Sequence, residues 1–359
     1  MTFEEVRAQF PVFERYAYLN AGTLGPLARG TAEAMAERAQ LELEQRGAGM
    51  PYFEKMLSLR QAARERIGGL LGSAPDQIAL TNSTTDGCNI VLAGLELGSE
   101  DEVVTTDVEH PGLLLPLHTT GARVVVAEVG GHPTAEAKDR IASAITSRTK
   151  LLALSHVLWA TGAVMPVHEL KEATGLPVLV DGAQSVGAVP VEVGALDYYT
   201  VSAQKWLCGP DPSGALYVAD PDRLRVASPT YFSAESLERD GRYDPRAGAT
   251  RFDSGWIGVP SLTGLVAAID SAPDWRFERA REMAERCRAA LDERFEVVTE
   301  AEQATLVSFR LRGDPVEAVA KAFERGVVIR NVPTTDLLRA SCGYWTSDDD
   351  VARLVEAVS

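Results

Sequence analysis

The stretch LPVLVDGA, residues 176–183, is an apolar run that ends in an aspartate. Similar short apolar runs recur on both sides of it, separated by segments long enough to form helices. They are QIALT (77–81), DEVVTT (101–106), ARVVVAEV (122–129), KLLALSH (150–156), DYYTVSA (197–203) and GALYVA (214–219). Apolar strands that alternate with helices are typical of a mostly parallel sheet covered on both faces. We therefore predict an α/β domain.

The last quarter of the chain has a different order of elements. A long amphipathic helix is predicted over 276–294, and TLVSFRL (305–311) and GVVIRN (326–331) read as strands that flank a helix near 314–325. A last helix is predicted from about residue 347. This order favours a smaller α+β domain at the C-terminal end.

These patterns predict two coupled domains. We expect a large domain over residues 16–250, a small C-terminal domain over 251–359, and an N-terminal segment over 1–15 that packs with the small domain. The stretch 228–256 is rich in Gly, Pro, Ser and Asp and is predicted to bridge the domains or to form an active-site loop.

Composition excludes several classes of function. The net charge of −16 argues against nucleic-acid binding, because readers of a phosphate backbone need a basic face. The four cysteines form no CxxC pair, so neither a metal site nor a disulfide framework is indicated. The N-terminus lacks a signal-peptide pattern and no apolar stretch is long enough to span a membrane. We expect a cytoplasmic protein.

Polar residues follow the apolar runs, where ligands gather at the carboxyl ends of parallel strands. In TNSTTDGCNIVLAGL (81–95), hydroxyl residues that include Thr84 and Thr85 open an apolar helix. Hydroxyls and free backbone N–H groups at a helix start suit a phosphate. Capping of the helix by Ser and Thr is the simpler reading of this stretch and is the commoner case.

Asp181 and Lys205 each follow a strand-like run. A buried carboxylate needs a cationic partner or several donors, although DGAQ (181–184) also suits a turn or a helix cap. Burial would lower the pKa of Lys205 and free its amine to attack a carbonyl. A lysine, a buried aspartate and a phosphate cradle together point to pyridoxal phosphate, which has an aldehyde, a ring nitrogen and a phosphate.

Two histidines and a tryptophan lie at the same predicted edge. His110 precedes Pro111 just after a strand, where a neutral imidazole can stack on a flat ring or transfer protons, but a lone histidine is more often structural. His156 has the same alternatives and no better role. Trp159 either lines a pocket or fills the core.

The ordered set TNSTTDGCNIVLAGL, DVEHPG, LSHVLWATG, VLVDGAQSVG and SAQKWLCGP resembles the class V aminotransferase family of pyridoxal-phosphate enzymes. The resemblance runs from YAYLNAGTLGPL (16–27) to LRASCGYWTSDDDVARLV (338–355). Within the family, the chain is most similar to the cysteine/cystine C–S lyases, which are relatives of the cysteine desulfurases. The resemblance implies the PLP-dependent transferase fold (type I) and a homodimer that acts on a small amino acid.

The resemblance also implies roles for individual residues. Lys205 would bind the cofactor covalently and transfer protons, Asp181 would pair with the ring nitrogen, and His110 would stack on the ring. Further cofactor contacts are implied for Thr84, Thr85, Gln184, Ser202 and Gln204. Arg339 would bind the substrate carboxylate, with Arg330 as a second candidate, and Ala21, Gly22 and Trp159 would border the substrate.

The chain departs from the family pattern at three positions. Desulfurases carry a cysteine on a loop before the equivalent of Arg339, but NVPTTDLL (331–338) has none. Gln204 stands where relatives often have a histidine. Trp256 stands where a partner subunit's threonine often contacts the phosphate. We therefore predict a C–S lyase that performs β-elimination; an aminotransferase, an epimerase and a catalytically silent cofactor-binding protein are the alternatives.

Overall fold

The computed structural model describes all residues, 1–359. The helices are α1 (Phe3–Arg7), α2 (Arg29–Gln45), α3 (Met50–Leu71), α4 (Thr84–Gly94), α5 (Pro111–Leu117), α6 (Ala137–Ser143), α7 (Val167–Thr174), α8 (Val259–Ser271), α9 (Arg276–Asp292), α10 (Pro315–Glu324) and α11 (Asp348–Val358). The strands are β1 (Ala17–Tyr18), β2 (Ile78–Thr81), β3 (Glu102–Thr106), β4 (Arg123–Ala127), β5 (Thr149–Ser155), β6 (Val178–Asp181), β7 (Tyr198–Ser202), β8 (Gly214–Val218), β9 (Ala234–Leu237), β10 (Tyr243–Pro245), β11 (Glu296–Val297), β12 (Leu306–Arg310), β13 (Val327–Val328), β14 (Arg330–Asn331) and β15 (Leu337–Ser341).

Seven strands form the central sheet in the order β2-β8-β7-β6-β5-β3-β4. Only β8 runs antiparallel to its neighbours β2 and β7, and the other pairs are parallel. Each of the seven apolar runs forms one of these strands, which confirms the predicted mostly parallel sheet. The carboxyl ends of β3, β5, β6 and β7 consequently lie along one edge.

The two faces of the sheet are covered by separate apolar cores. Along β5, Leu152 and Leu154 point into a core shared with α3, α7 and α8, whereas Leu151 and Ala153 point into a core shared with α4 and α5. Successive side chains of a strand point to opposite faces, so both sets must be apolar when helices cover both sides. This is why the strands read as continuous apolar runs.

A four-stranded antiparallel sheet, β11-β12-β15-β14, forms the smaller unit with α9, α10 and α11. The N-terminal segment packs on this unit: Arg7 forms an ion pair with Asp350 at 2.7 Å, and Phe10 contacts Trp345. Strand β1 pairs in parallel with β13, so the attachment extends beyond residue 15.

The packing divides the chain later than the expected boundary at residue 250. Helix α8 lies against α2 and α3, and its Leu262 and Leu265 belong to the core of the large sheet. The division therefore falls between α8 and α9. Glycine and proline near residue 250 indicate turns, but apolar packing decides which unit a helix joins.

The stretch 228–256 is neither a bridge between the units nor part of the cavity described below. It forms the β9–β10 hairpin and short turns. Asp253 anchors it to the large unit by accepting hydrogen bonds from Arg60, Arg64 and the backbone N–H of Leu80. Its turn residues had suggested a bridge or an active-site loop. No helix of the fold combines the length and the apolar character needed to cross a bilayer.

Candidate active site

A cavity of about 250 Å³ lies between the large unit and β14–β15 of the small unit. Its lining is mostly polar and comprises Gly22, Thr23, Ser83, Thr84, Thr85, His110, Trp159, Gln184, Ser202, Gln204, Lys205, Arg330 and Arg339. All of these except Thr23 and Ser83 are candidates from the sequence. Asp181 lies behind the lining, and its charge acts on Lys205.

Helix α4 begins at this cavity. Ser83 is its N-cap, and its Oγ accepts a hydrogen bond from the Asp86 N–H at 3.2 Å, while Thr84 and Thr85 line the cavity beside it. Ser83 therefore confirms the capping reading, while the hydroxyls of Thr84 and Thr85 remain available for the predicted phosphate. A helix N-terminus with free N–H groups attracts an anion such as a phosphate.

Asp181 ends β6 and Lys205 lies just beyond β7, and each affects the pKa of the other. Asp181 is buried, accepts a hydrogen bond from the Ala183 N–H at 2.9 Å, and has its pKa raised by that burial, against the effect of Lys205. Burial lowers the pKa of Lys205 to about 8; Asp181 opposes this shift and Arg339 adds to it. A substantial fraction of the Lys205 amine is therefore neutral near pH 8.

The orientation of the Gln184 amide follows from its partners. Its Oε1 accepts a hydrogen bond from Trp206 Nε1 at 2.9 Å, and its Nε2 donates to the Gly22 carbonyl at 2.8 Å. Because an indole nitrogen can only donate, the amide oxygen must face Trp206. The second N–H of Gln184 is left for an acceptor in the cavity.

His110 is held as a neutral ring. It caps α5, and its Nδ1 accepts a hydrogen bond from the Gly112 N–H at 3.0 Å, so its proton resides on Nε2. Burial, and next the charge of Lys205, lower the pKa of His110 to about 4. Trp159 contacts it edge to face, with ring centroids 5.0 Å apart. A neutral flat ring is suited to stacking.

The small unit contributes two arginines that have no acidic partner. Arg339 is fully buried; its Nη1 donates to the Trp159 carbonyl at 2.7 Å, and its Nε has no partner. Burial, with the nearby Arg330, lowers its pKa to about 9. A Cβ at Gly22 would lie 2.8 Å from Nη2 of Arg339, so glycine is needed for this approach. An unpaired guanidinium of this kind suits bidentate capture of a carboxylate.

Ala21 and His156 lie outside the cavity. Ala21 is wrong as a lining residue, because it is fully buried in an apolar cluster with Val157 and Leu306. The adjacent Gly22 lines the cavity instead. His156 bonds Tyr199 at 2.7 Å between Nδ1 and the hydroxyl, which is the structural alternative for this histidine.

Two lining residues were missed by sequence reasoning. Ser83 had a signal, since it belongs to the run of hydroxyl residues that opens the helix, but no individual role was assigned to it. Thr23 had a weaker signal: it directly follows Gly22, a predicted neighbour of the substrate, in LNAGTLGP (19–26). Its hydroxyl accepts hydrogen bonds from both Arg330 and Arg339.

The residues of the cavity fit pyridoxal phosphate. The start of α4 supplies donors for the phosphate, Asp181 supplies a buried anion for a ring nitrogen, and Lys205 supplies an amine of lowered pKa for the aldehyde. The Oε1 atom of Gln204 is buried without a partner, and its amide borders the same space. This matches the set of groups that the sequence predicted.

Comparison with known proteins identifies the family of this chain. The sequence profile of "Aminotransferase class-V" matches residues 46–354. An isopenicillin N epimerase of Amycolatopsis lactamdurans is 29% identical, covering 95% of this chain and 94% of its own. A probable cysteine desulfurase of Methanothermobacter thermautotrophicus is 30% identical, covering 75% of this chain and 70% of its own.

Solved structures agree with the sequence matches. The cystine C–S lyase C-DES, in complex with its reaction product cysteine persulfide, superimposes with a TM-score of 0.89 at 26% identity, covering 98% of this chain and 99% of that one. A mutant of C-DES with glycine covalently linked to its PLP cofactor gives a TM-score of 0.90 at the same identity. Together with the profile match and the fitted cavity, this establishes that the chain belongs to the class-V aminotransferase family of pyridoxal-phosphate-dependent enzymes.

Proposed function

We propose that this enzyme is a carbon–sulfur lyase that removes sulfur from a cysteine-derived amino acid by β-elimination. With one water, the reaction yields pyruvate, ammonia and a thiol or persulfide product. The likeness to the cystine C–S lyase C-DES over nearly the whole chain supports this choice. The residues of the cavity supply the groups that such a reaction needs.

The observation that carries the proposal is the location of the thiols. Cys88, Cys208, Cys287 and Cys342 are all buried and none lines the cavity. Burial raises the pKa of Cys88 and Cys208, which disfavours the thiolate. A desulfurase that stores sulfur as a protein persulfide needs an accessible thiolate. This supports release of the sulfur in a small product.

Individual residues of the chain have separate roles in this reaction. Arg339 binds the substrate carboxylate and orients the Cα–H bond toward Lys205, whose neutral Nζ takes the proton. The buried carboxylate of Asp181 would hold the ring nitrogen of the cofactor, and the neutral ring of His110 would stack on it. Pyridoxal phosphate, when bound, supplies an electron-withdrawing ring that accepts the electron pair released at Cα.

An epimerase is the second candidate, because two isopenicillin N epimerases match 95% and 99% of this chain. Epimerisation returns the proton to the opposite face of Cα. Besides Lys205 and the arginines, His110 is the only titratable side chain that lines the cavity. Its pKa is near 4, and its Nδ1 already accepts a hydrogen bond from the Gly112 N–H. His110 is therefore a poor proton carrier at neutral pH. β-Elimination needs no second base.

The deciding experiment mixes the cofactor-loaded enzyme with L-cystine and with cysteine S-conjugates, without any keto acid. Continuous formation of pyruvate and ammonia, with return of the starting absorbance, is the expected result. A loss of absorbance that recovers only when a keto acid is added would make the enzyme an aminotransferase. Formation of the D-amino acid without pyruvate would make it an epimerase. Tight cofactor binding without turnover on a broad panel would indicate a silent binding protein.

The homodimer and the cytoplasmic location stay predictions. Exposed aromatic residues support an interface on the large unit: Trp256 is 61% exposed and lies beside Phe53 in a surface groove. Light scattering on the purified enzyme tests the dimer. A monomeric mass with full activity would contradict it.

A further inference from the structure

Thr23 lies in a tight turn at the mouth of the cavity. Its N–H donates to the Asn20 carbonyl at 2.9 Å, and its Oγ1 donates to Asn20 Oδ1 at 2.8 Å. The same oxygen accepts hydrogen bonds from Arg330 Nη1 at 3.0 Å and from Arg339 Nη2 at 3.4 Å. A hydroxyl has one proton and two lone pairs, so all three capacities are in use.

The two arginines need such a partner. They are directly paired across β14 and β15, neither forms an ion pair, and Arg330 lowers the pKa of Arg339. Like charges held close together repel, and their orientation depends on acceptors that sit between them. Apart from Thr23, the two arginines donate hydrogen bonds only to backbone carbonyls. Arg339 donates to the Trp159 carbonyl, and Arg330 donates to the Asn331 carbonyl. Thr23 is therefore the one side chain that contacts both guanidinium groups.

The turn that contains Thr23 also contacts the residues on the cofactor side of the cavity. The Gly22 carbonyl accepts from Gln184, and the Gly25 N–H donates to the Gln204 carbonyl at 2.7 Å. A Cβ at Gly25 would lie 1.9 Å from the Lys205 carbonyl oxygen, so the turn is pressed against the segment that carries the lysine. The position of Thr23 relative to Lys205 is consequently set by backbone contacts.

We propose that Thr23 is a positioning residue that holds Arg330 and Arg339 together as one receptor for the substrate carboxylate, at a set distance from Lys205. The inference rests on the proposed function in one respect, namely that the substrate is an amino acid with a free carboxylate. It goes further in assigning the receptor to two arginines and the threonine between them, instead of to Arg339 alone.

The test compares two ligands that differ only in the carboxylate, L-alanine and ethylamine. Their dissociation constants are measured on the cofactor-loaded enzyme from the change in its visible absorbance. The dissociation constant for ethylamine divided by that for L-alanine reports what the carboxylate contributes to binding. Thr23→Val keeps the side-chain shape but removes the acceptor, and should lower this ratio about five- to tenfold, as expected when one hydrogen bond of typical net strength is lost.

Thr23→Ser keeps the hydroxyl and should retain the wild-type ratio. Thr335→Val is the matched control, because Thr335 is also exposed in a turn but bonds only backbone groups. In all variants the affinity for ethylamine should stay unchanged. Since Thr23 is exposed at the mouth of the cavity, valine does not disturb a packed core.

Four outcomes would overturn the inference. A wild-type ratio in Thr23→Val, or an equal loss in Thr23→Ser, would show that the hydroxyl does not position the arginines. An equal loss of affinity for ethylamine would reveal a general disturbance of the site. If the wild-type enzyme itself does not distinguish alanine from ethylamine, the amino-acid substrate of the proposed function fails, and the inference fails with it.

Discussion

On the large-unit side of the cavity, Asp181 and Lys205 carry opposite charges and each acts on the pKa of the other, whereas on the small-unit side Arg330 and Arg339 have only neutral partners. The opposite charges of Asp181 and Lys205 largely compensate each other within the protein. The two arginines leave a positive charge that a ligand must complete, since a buried charge is costly without a partner. The cofactor half is thus preformed by the chain, whereas we propose that the substrate half takes its counter-charge from the carboxylate of the substrate.

Lys205→Ala removes the reactive group of the cofactor half and has the largest expected effect. Loss of the proton-transfer group should lower pyruvate formation by at least about a thousandfold. The visible absorbance of the covalently bound cofactor should also disappear, and both are read by spectrophotometry. Lys138→Ala, at an exposed lysine paired with Glu169, is the control and should behave as wild type. Retention of absorbance and turnover in Lys205→Ala would refute the assignment.

Removing the arginines tests the substrate half. Arg339→Ala should raise KM by roughly ten- to a hundredfold, corresponding to a loss of about 1.5 to 3 kcal/mol for charged hydrogen bonds. Arg330→Ala should have a smaller effect, because that side chain is only half-buried. Steady-state kinetics with one cysteine S-conjugate give both values. A larger effect at Arg330, or an unchanged KM in Arg339→Ala, would reverse the assignment.

The electrostatic coupling between the halves predicts a pH dependence. Only the neutral amine reacts with an acylating reagent, so labelling of Lys205 in the cofactor-free protein should rise with pH through a midpoint near 8. Asp181 raises this pKa and Arg339 lowers it. Asp181→Asn should therefore move the midpoint down and Arg339→Ala should move it up. Mass spectrometry after brief treatment with acetic anhydride measures both, and shifts in the same direction would contradict the coupling.

The smallest effect is expected for the thiols. Cys342→Ala should leave pyruvate formation within about twofold of wild type, because Cys342 is buried outside the cavity. The free energy of unfolding should fall by about 1 kcal/mol, as for other small core truncations. Cys287→Ala is the matched control in the same apolar core. Loss of turnover in Cys342→Ala alone would point to a sulfur-carrying thiol.

Sequence reasoning worked best where a local pattern implies one arrangement. The seven apolar runs formed the seven strands of the large sheet, because a strand covered on both faces needs apolar residues at successive positions. Asp181 is the last residue of β6 and Lys205 lies three residues after the end of β7, and the carboxyl ends of parallel strands meet at one edge, so the strand ends pointed to both residues.

Reasoning from pattern failed where long-range packing decides. Helix α8 has turn residues before it but joins the large unit through Leu262 and Leu265. Ala21 and Gly22 are adjacent in sequence, yet one is buried in a core and the other borders the cavity. The backbone path through the turn sets this difference, and the residue types alone do not indicate it.

The amino-acid order therefore carries the fold class, the family and the chemistry of the cofactor half, because these depend on short-range periodicity and on residue types at strand ends. The meeting of Thr23 with Arg330 and Arg339 depends on the three-dimensional fold. It joins segments more than three hundred residues apart, through the β1–β13 pairing and the bridge from Asn20 to Ser341. Such contacts form only when both units are folded, so no local pattern records them.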